Sequence, residues 1–269
     1  MKTTAILNLK GGVGKTVTAI NAAAILAGDY GRSTLVIDAD SQCNTTDFLL
    51  GGAAPNVVTL AELLRAAKLT GRSLPENWGE VIVGTELEKV DLICGSDQLM
   101  DLDLSAVKTG EVSATVLRDL VAKLEQADLY KHVLIDCPPA FNAASAAALV
   151  AADEVIIPIK LDAFAIQGMA NLLRQINNMR KINPGLRVAG LLPTMWYMDP
   201  IILQMEDELR KTAGVKVFTP IRRSDKVNRM TFEQEPLRVY SPRSAAGIDY
   251  RAFVREWLED QRFGGGAGK

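Results

Sequence analysis

Apolar and β-branched residues gather in short runs along the chain: 3–9 (TTAILNL), 33–39 (STLVIDA), 90–95 (VDLICG), 132–137 (HVLIDC), 154–159 (EVIIPI), 187–194 (RVAGLLPT) and 215–220 (VKVFTP). Each has the length of a strand and is apolar at successive positions, so both of its faces need cover. Between the runs lie helix-compatible stretches at 15–27, 111–127, 163–181 and 201–212. Strands of this kind alternating with helices predict an α/β fold, a mostly parallel twisted sheet with helices on both faces. Near the C-terminus Tyr250, Phe253, Val254, Trp257 and Leu258 recur at helical spacing and predict a stripe packed on the core. The polar stretch 68–80, with Gly71, Pro75 and Gly79, predicts a long loop.

A chain of 269 residues that is 48% hydrophobic can bury a substantial core, and no stretch reads as an interdomain linker. The expectation is one domain over 1–263, followed by a flexible tail, GGGAGK, at 264–269. The net charge of -2 conceals an asymmetry. Residues 76–136 hold thirteen Asp and Glu against five Lys and Arg, whereas residues 210–251 hold ten Lys and Arg against four Asp and Glu. One face is therefore expected to be basic. Cys43, Cys94 and Cys137 lie far apart with no C-x-x-C spacing, and His132 is the single histidine, so neither a disulfide framework nor a zinc site is indicated. With no apolar run of membrane-spanning length and no signal-peptide pattern, the expectation is a soluble, cytoplasmic protein.

The candidate chemistry begins at NLKGGVGKTVT, residues 8–18, where a predicted strand gives way to a predicted helix. A standard phosphate loop reads G-x-x-x-x-G-K-[ST], and its first glycine would fall at Leu9. In its place Lys10 stands beside Gly11 and Gly12. Gly11, Gly12 and Gly14, with Val13 and Val17 around them, let backbone N–H groups turn toward an anion at the start of a helix. Lys15 would reach the β- and γ-phosphates, and Thr16 would ligate Mg²⁺. Two further strand ends supply carboxylates: Asp136 after VLI, and Asp38 and Asp40 on alternate positions of IDAD.

KGGVGKT, DADSQCN and IDCPP closely resemble the deviant-Walker ATPases of the ParA/MinD group, in order and spacing across nearly the whole chain. The resemblance implies a P-loop NTPase fold and slow hydrolysis of ATP to ADP and phosphate, stimulated by a partner. It makes Lys10 a cation that crosses a homodimer interface to the phosphates of the partner's ATP, beside Lys15 in the chain's own site. It makes Asp40 the residue that orients the attacking water and lies near the metal, Asp136 the Walker B carboxylate, and Gln42 and Asn44 parts of a switch-like segment. Thr194 and the turn at 219–223, with Pro220 and Arg222, match positions that surround adenine.

PIKLDAFAIQGM (158–169), GLLPTM (190–195) and SPRSAAGIDYRAFVREWL (241–258) resemble the partitioning ParA proteins more than MinD. That branch implies non-specific double-stranded DNA as a partner, met by Arg222, Arg223, Lys226 and Arg229, together with a ParB-like centromere-binding protein and a nucleoid-associated location. The chain departs from the pattern at Ser41 and Cys43, where proline and glycine are usual, at Arg222, where proline is usual, and at Asp199, where an arginine is frequent. A MinD-like protein that positions a cargo without DNA is the alternative. Its lipid-binding terminal helix fits poorly, because the polar face here mixes Arg251 and Arg255 with Glu256, Glu259 and Asp260. An iron–sulfur electron carrier has only Cys94 and Cys137 as ligand candidates, and His132, at the start of a buried strand, reads as structural.

Overall fold

The computed structural model describes residues 1–52, 55–69, 77–162 and 165–264. The phosphate-loop half runs β1 (Lys2–Ile6), α1 (Lys15–Tyr30), β2 (Thr34–Asp38), α2 (Asn44–Leu50), α3 (Leu60–Leu69), β3 (Ile82–Gly84), β4 (Val90–Ile93), α4 (Leu104–Lys108), α5 (Val116–Gln126) and β5 (His132–Asp136). It continues α6 (Ala143–Ala151), β6 (Glu154–Lys160), α7 (Ala165–Met179), β7 (Arg187–Thr194), α8 (Pro200–Thr212), α9 (Asp225–Glu233), α10 (Leu237–Tyr240) and α11 (Ala245–Gly264). The strands form one sheet in the order β3-β4-β2-β5-β1-β6-β7, parallel throughout except for the β3–β4 pair.

The period of two in the strands divides the core into two layers. Leu35 and Ile37 of β2 and Val133 and Ile135 of β5 face one side, where α3, α5, α6 and α7 cover them. Val36 and Leu134 face the other, under α1, α2, α9 and α11. The expected double-sided cover is thus present. The run 215–220 is not a ladder strand: it meets β7 through an isolated bridge at Leu191–Val217, and a second bridge, Trp196–Arg222, lies just beyond both segments. Pro193 and Pro220 have no N–H to donate, so a continuous ladder cannot form there. The expected loop over 68–80 lies outside the described residues at 70–76, as do the first two positions of the helix expected from 163 and the tail beyond Gly264.

The C-terminal stripe is core. Tyr250, Phe253, Val254, Trp257 and Leu258 are all buried. Phe253 meets Phe218 edge-on at 5.1 Å and lies parallel to Trp257 at 6.1 Å. Trp257 Nε1 donates to Glu154 Oε1 at 2.7 Å, and the fully buried Glu154 also accepts from Thr4, Gln261 and Arg187. A buried carboxylate is tolerated only with such partners. His132 belongs to the same end of the sheet, where burial and the neighbouring Arg32 guanidinium lower its pKa to about 4 and keep the ring neutral. Trp257→Ala is expected to lower the unfolding free energy by about 3–5 kcal/mol, read from denaturant midpoints, since it opens a cavity and strips Glu154 of a donor.

Candidate functional site

The loop between β1 and α1 lies at the carboxyl end of the sheet, where open parallel sheets bind ligands. Gly12 and Gly14 have φ of 69° and 84°, a conformation that side chains with a Cβ resist. Gly14 is the N-cap of the 16-residue α1 and supplies no side-chain bond, so the first amides of the helix face the loop without a capping side chain. Asn8 fixes the loop's entry, accepting from the Lys10 amide at 3.0 Å and donating to the Pro158 carbonyl at 2.7 Å. Thr194, at the end of β7, donates to the Val13 carbonyl at 2.9 Å and so touches the loop from the opposite strand. Val17 is half-buried one turn into α1, packed against the second core layer.

The two lysines take different places. Lys15 is buried; desolvation lowers its pKa, opposed by the charges of Asp136 and Asp40, and its Nζ donates to the Lys10 carbonyl at 3.4 Å. Lys10 is exposed and pairs with Asp162 of its own chain. The carboxylates converge beside Lys15. Asp38 and Asp136 are register partners at the ends of β2 and β5, both buried. Burial first, and then the charge of Asp136, raise Asp38 to about 7; burial raises Asp136 to about 6, held back by hydroxyl donors. Asp40 is nearly buried and its Oδ1 accepts from the Gln42 amide at 3.1 Å, while Gln42 and Asn44 are exposed.

Thr16 Oγ1 donates to Asp136 Oδ2 at 2.7 Å, and Asp136 Oδ1 is buried with no hydrogen-bond partner. A hydroxyl beside a carboxylate oxygen that lacks a partner is a hard-oxygen donor set suited to Mg²⁺, which takes few protein ligands and completes its shell with phosphates and water. Among the described residues no cluster of three or more His, Cys, Asp or Glu could hold a metal ion.

Of the positions matched to adenine, those of the 219–223 turn border a cleft of about 250 Å³ lined by Trp196, Glu206, Thr219, Pro220, Arg222 and Asp249, whereas Thr194 is not among its lining and lies against the glycine loop. Arg222 grips Asp249 through Nε and Nη2, each at 2.8 Å, and its amide donates to the same carboxylate at 2.9 Å. A proline here would have no N–H to satisfy, so the arginine and Asp249 fasten the turn by other means. The guanidinium is thereby engaged within the chain, whereas Arg223, Lys226 and Arg229 are exposed and make no ion pair among the described residues. Asp199 caps α8, accepting from the Ile201 and Ile202 amides at 2.8 and 3.4 Å. Cys43 adopts φ 54°, which explains why glycine suits this position; burial and nearby carboxylates push its thiol up to about 12, disfavouring the thiolate. Cys94 and Cys137 are buried, and their pKa values are raised as well.

Two residues escaped the sequence reading. Thr45 Oγ1 donates to Asp136 Oδ2 at 2.7 Å, and Thr46 donates to Asp38 Oδ2 from both its amide and its hydroxyl at 2.8 Å. The only signal was a pair of hydroxyls five and six residues after Asp40, within the segment that leaves the β2 strand end.

A glycine loop between a parallel strand and a helix, a buried lysine, and carboxylates at the neighbouring strand ends define a P-loop nucleotide-binding protein. Comparison with known proteins narrows the class. A family profile described as an AAA domain matches residues 1–188. The chromosome partitioning protein ParA of Caulobacter vibrioides is 32% identical over 265 residues, 97% of this chain and 96% of that protein. The McdA structure from Cyanothece without nucleotide superposes with a TM-score of 0.81 at 23% identity over 96% of this chain and 99% of that one, a likeness of fold. The cobyrinic acid a,c-diamide synthase of Mycobacterium smegmatis, with a bound ATP analogue and magnesium, has a TM-score of 0.77 at 25% identity over 98% of this chain and 97% of that one. The chain belongs to the ParA/MinD family of P-loop ATPases, whose ParA members include partitioning ATPases.

The raised carboxylates predict the pH response of the protein without nucleotide. A carboxylate whose folded pKa exceeds its unfolded value binds an extra proton in the folded state between the two, so stability falls as pH rises through that window. For Asp38 the window runs from 3.8 to about 7. The melting temperature of the wild type should fall relative to that of Asp38→Asn across this range, and parallel pH profiles would contradict the assignment.

Proposed function

We propose that the chain, as a single ATPase domain over 1–263, is an ATP-driven dimerisation switch of ParA type. The observation that carries this reading is the pair of lysines on one glycine loop, one buried beside the carboxylates and one at the surface. Lys15 and the amides of Gly11, Gly12, Val13 and Gly14, with Val17 behind them, would hold the phosphates. Thr16 and Asp136, with Asp40 nearby, would hold Mg²⁺, which supplies charge compensation for the triphosphate. Asp40 would orient the attacking water; Pro220 and Arg222, which line the cleft, would border adenine with Thr194 beside the glycine loop.

Lys10 would act in trans. Its ion pair with Asp162 is 42% exposed on the lysine side, and exposed pairs contribute little, about 0–1 kcal/mol, so exchanging Asp162 for a partner's phosphate has a low cost. The dimer would bind non-specific double-stranded DNA through Arg223, Lys226 and Arg229, with Arg222 fastened behind them. A ParB-like centromere-binding protein would accelerate a slow basal hydrolysis, on the nucleoid in the cytoplasm. No helix among the described residues is long and apolar enough to cross a membrane. A MinD-like role in positioning a protein cargo without DNA is favoured only by Asp199, which caps a helix where the resembling proteins often carry a cation.

Lys10→Ala should bind ATP but neither dimerise on size exclusion nor release phosphate; normal turnover would remove the in-trans role. Asp40→Ala should instead accumulate an ATP-dependent dimer with no turnover. In gel shifts, binding of random-sequence DNA should weaken steeply with salt, and replacing Lys226 or Arg229 by alanine should reduce the log–log salt slope by about 1 each. Absence of ATP-dependent binding at low salt would favour the cargo-positioning role.

A further inference from the structure

The short helix after β2 has no cap of its own. Cys43, its N-cap, provides no side-chain bond, and a 7-residue helix is too short to persist unaided. Asp38 replaces the cap from the neighbouring strand end: its Oδ2 accepts the amide of Thr46, the third residue of α2, at 2.8 Å, as an N-cap side chain would. Its Oδ1 accepts the Asp40 amide at 3.2 Å. One buried carboxylate thus holds both ends of the segment 40–46.

The two threonines complete the fastening. Thr46 Oγ1 donates to Asp38 at 2.8 Å and accepts from the Gly95 amide at 3.0 Å, tying α2 to the end of β4. Gly95 can approach because it has no side chain: a Cβ there would lie 3.1 Å from Asp38 Cγ and 3.2 Å from the Asp40 carbonyl. Thr45 Oγ1 donates to the Asp136 oxygen that also accepts from Thr16, leaving the other Asp136 oxygen without a partner. Thr45 and Thr46 are fully or almost fully buried.

We propose that Thr45 and Thr46 are positioning residues: a two-hydroxyl latch that fastens α2 to Asp136 and Asp38 and sets Asp40 in place before nucleotide arrives. The catalytic part of this rests on the reading of Asp40 given above; the latch itself belongs to the nucleotide-free chain. Thr46→Val keeps the shape and the amide but deletes the hydroxyl, and Thr46→Ser restores it.

Hydrogen exchange on the nucleotide-free protein is the first measurement. In Thr46→Val the amides of 40–47 should exchange about tenfold faster than in the wild type while α1 and β5 are unchanged, and Thr46→Ser should return them toward wild type. In ATPase assays Thr46→Val should lose about tenfold to a hundredfold in kcat, with ATP affinity by equilibrium binding unchanged and Thr46→Ser restoring turnover. Thr45→Val, which removes one hydroxyl and no backbone partner, carries the same measurements if Thr46→Val does not fold. Exchange in 40–47 identical to wild type in both valine variants would overturn the latch. Faster exchange with wild-type kcat would overturn its link to Asp40, and a wild type without ATPase activity but with a working latch would count against the functional reading alone.

Discussion

Parallel strands in register bring Asp38 and Asp136 to adjacent positions at the ends of β2 and β5, both out of contact with water. Two like charges so placed resist ionisation together, and removal from water adds to the penalty for each. The surroundings answer this in three ways: hydroxyls from Thr16, Thr45 and Thr46, amides from Asp40 and Thr46, and the ammonium of Lys15 in the same seam. The compensation is incomplete, since one oxygen of Asp136 has no partner. A site with surplus negative charge and an acceptor without a partner is arranged to receive a cation, and it lies in one seam with the glycine loop and the segment 40–46.

The fold was legible because strands buried on both faces leave an unbroken apolar signature. Six of the seven runs are strands of the sheet. The seventh lacks a ladder donor at its own Pro220 and faces another missing donor at Pro193 of β7, a backbone property that apolar composition does not report. β3 went unseen because it is three residues long and its side chains are only partly covered. α6, with the sequence AASAAALVA, is apolar around its whole circumference, so it shows no helical period. α2 and α10 are too short for any period to emerge.

The glycine loop and the strand-end carboxylates were legible for another reason: their chemistry is local to a strand end and the turn that follows. Thr45 and Thr46 were not, because their partners come from β5, β2 and β4, and only the register of the sheet brings those ends together. Departures from the family pattern also have local causes. Asp199 is a helix cap and Arg222 is a fastening for a turn, and each is paired with atoms that sequence position alone does not disclose.

The network around Glu154 lies at the opposite end of the same strands from the phosphate loop, because β6 begins at Glu154 and runs parallel to β1. Peeling α11 away would strip that buried carboxylate of its Trp257 and Gln261 donors, so the last helix closes this end of the sheet. Anchorage and chemistry are separated along the strand axis. A reporter dye or an affinity handle fused after α11 would therefore sit below the molecule, clear of whatever docks on the nucleotide face.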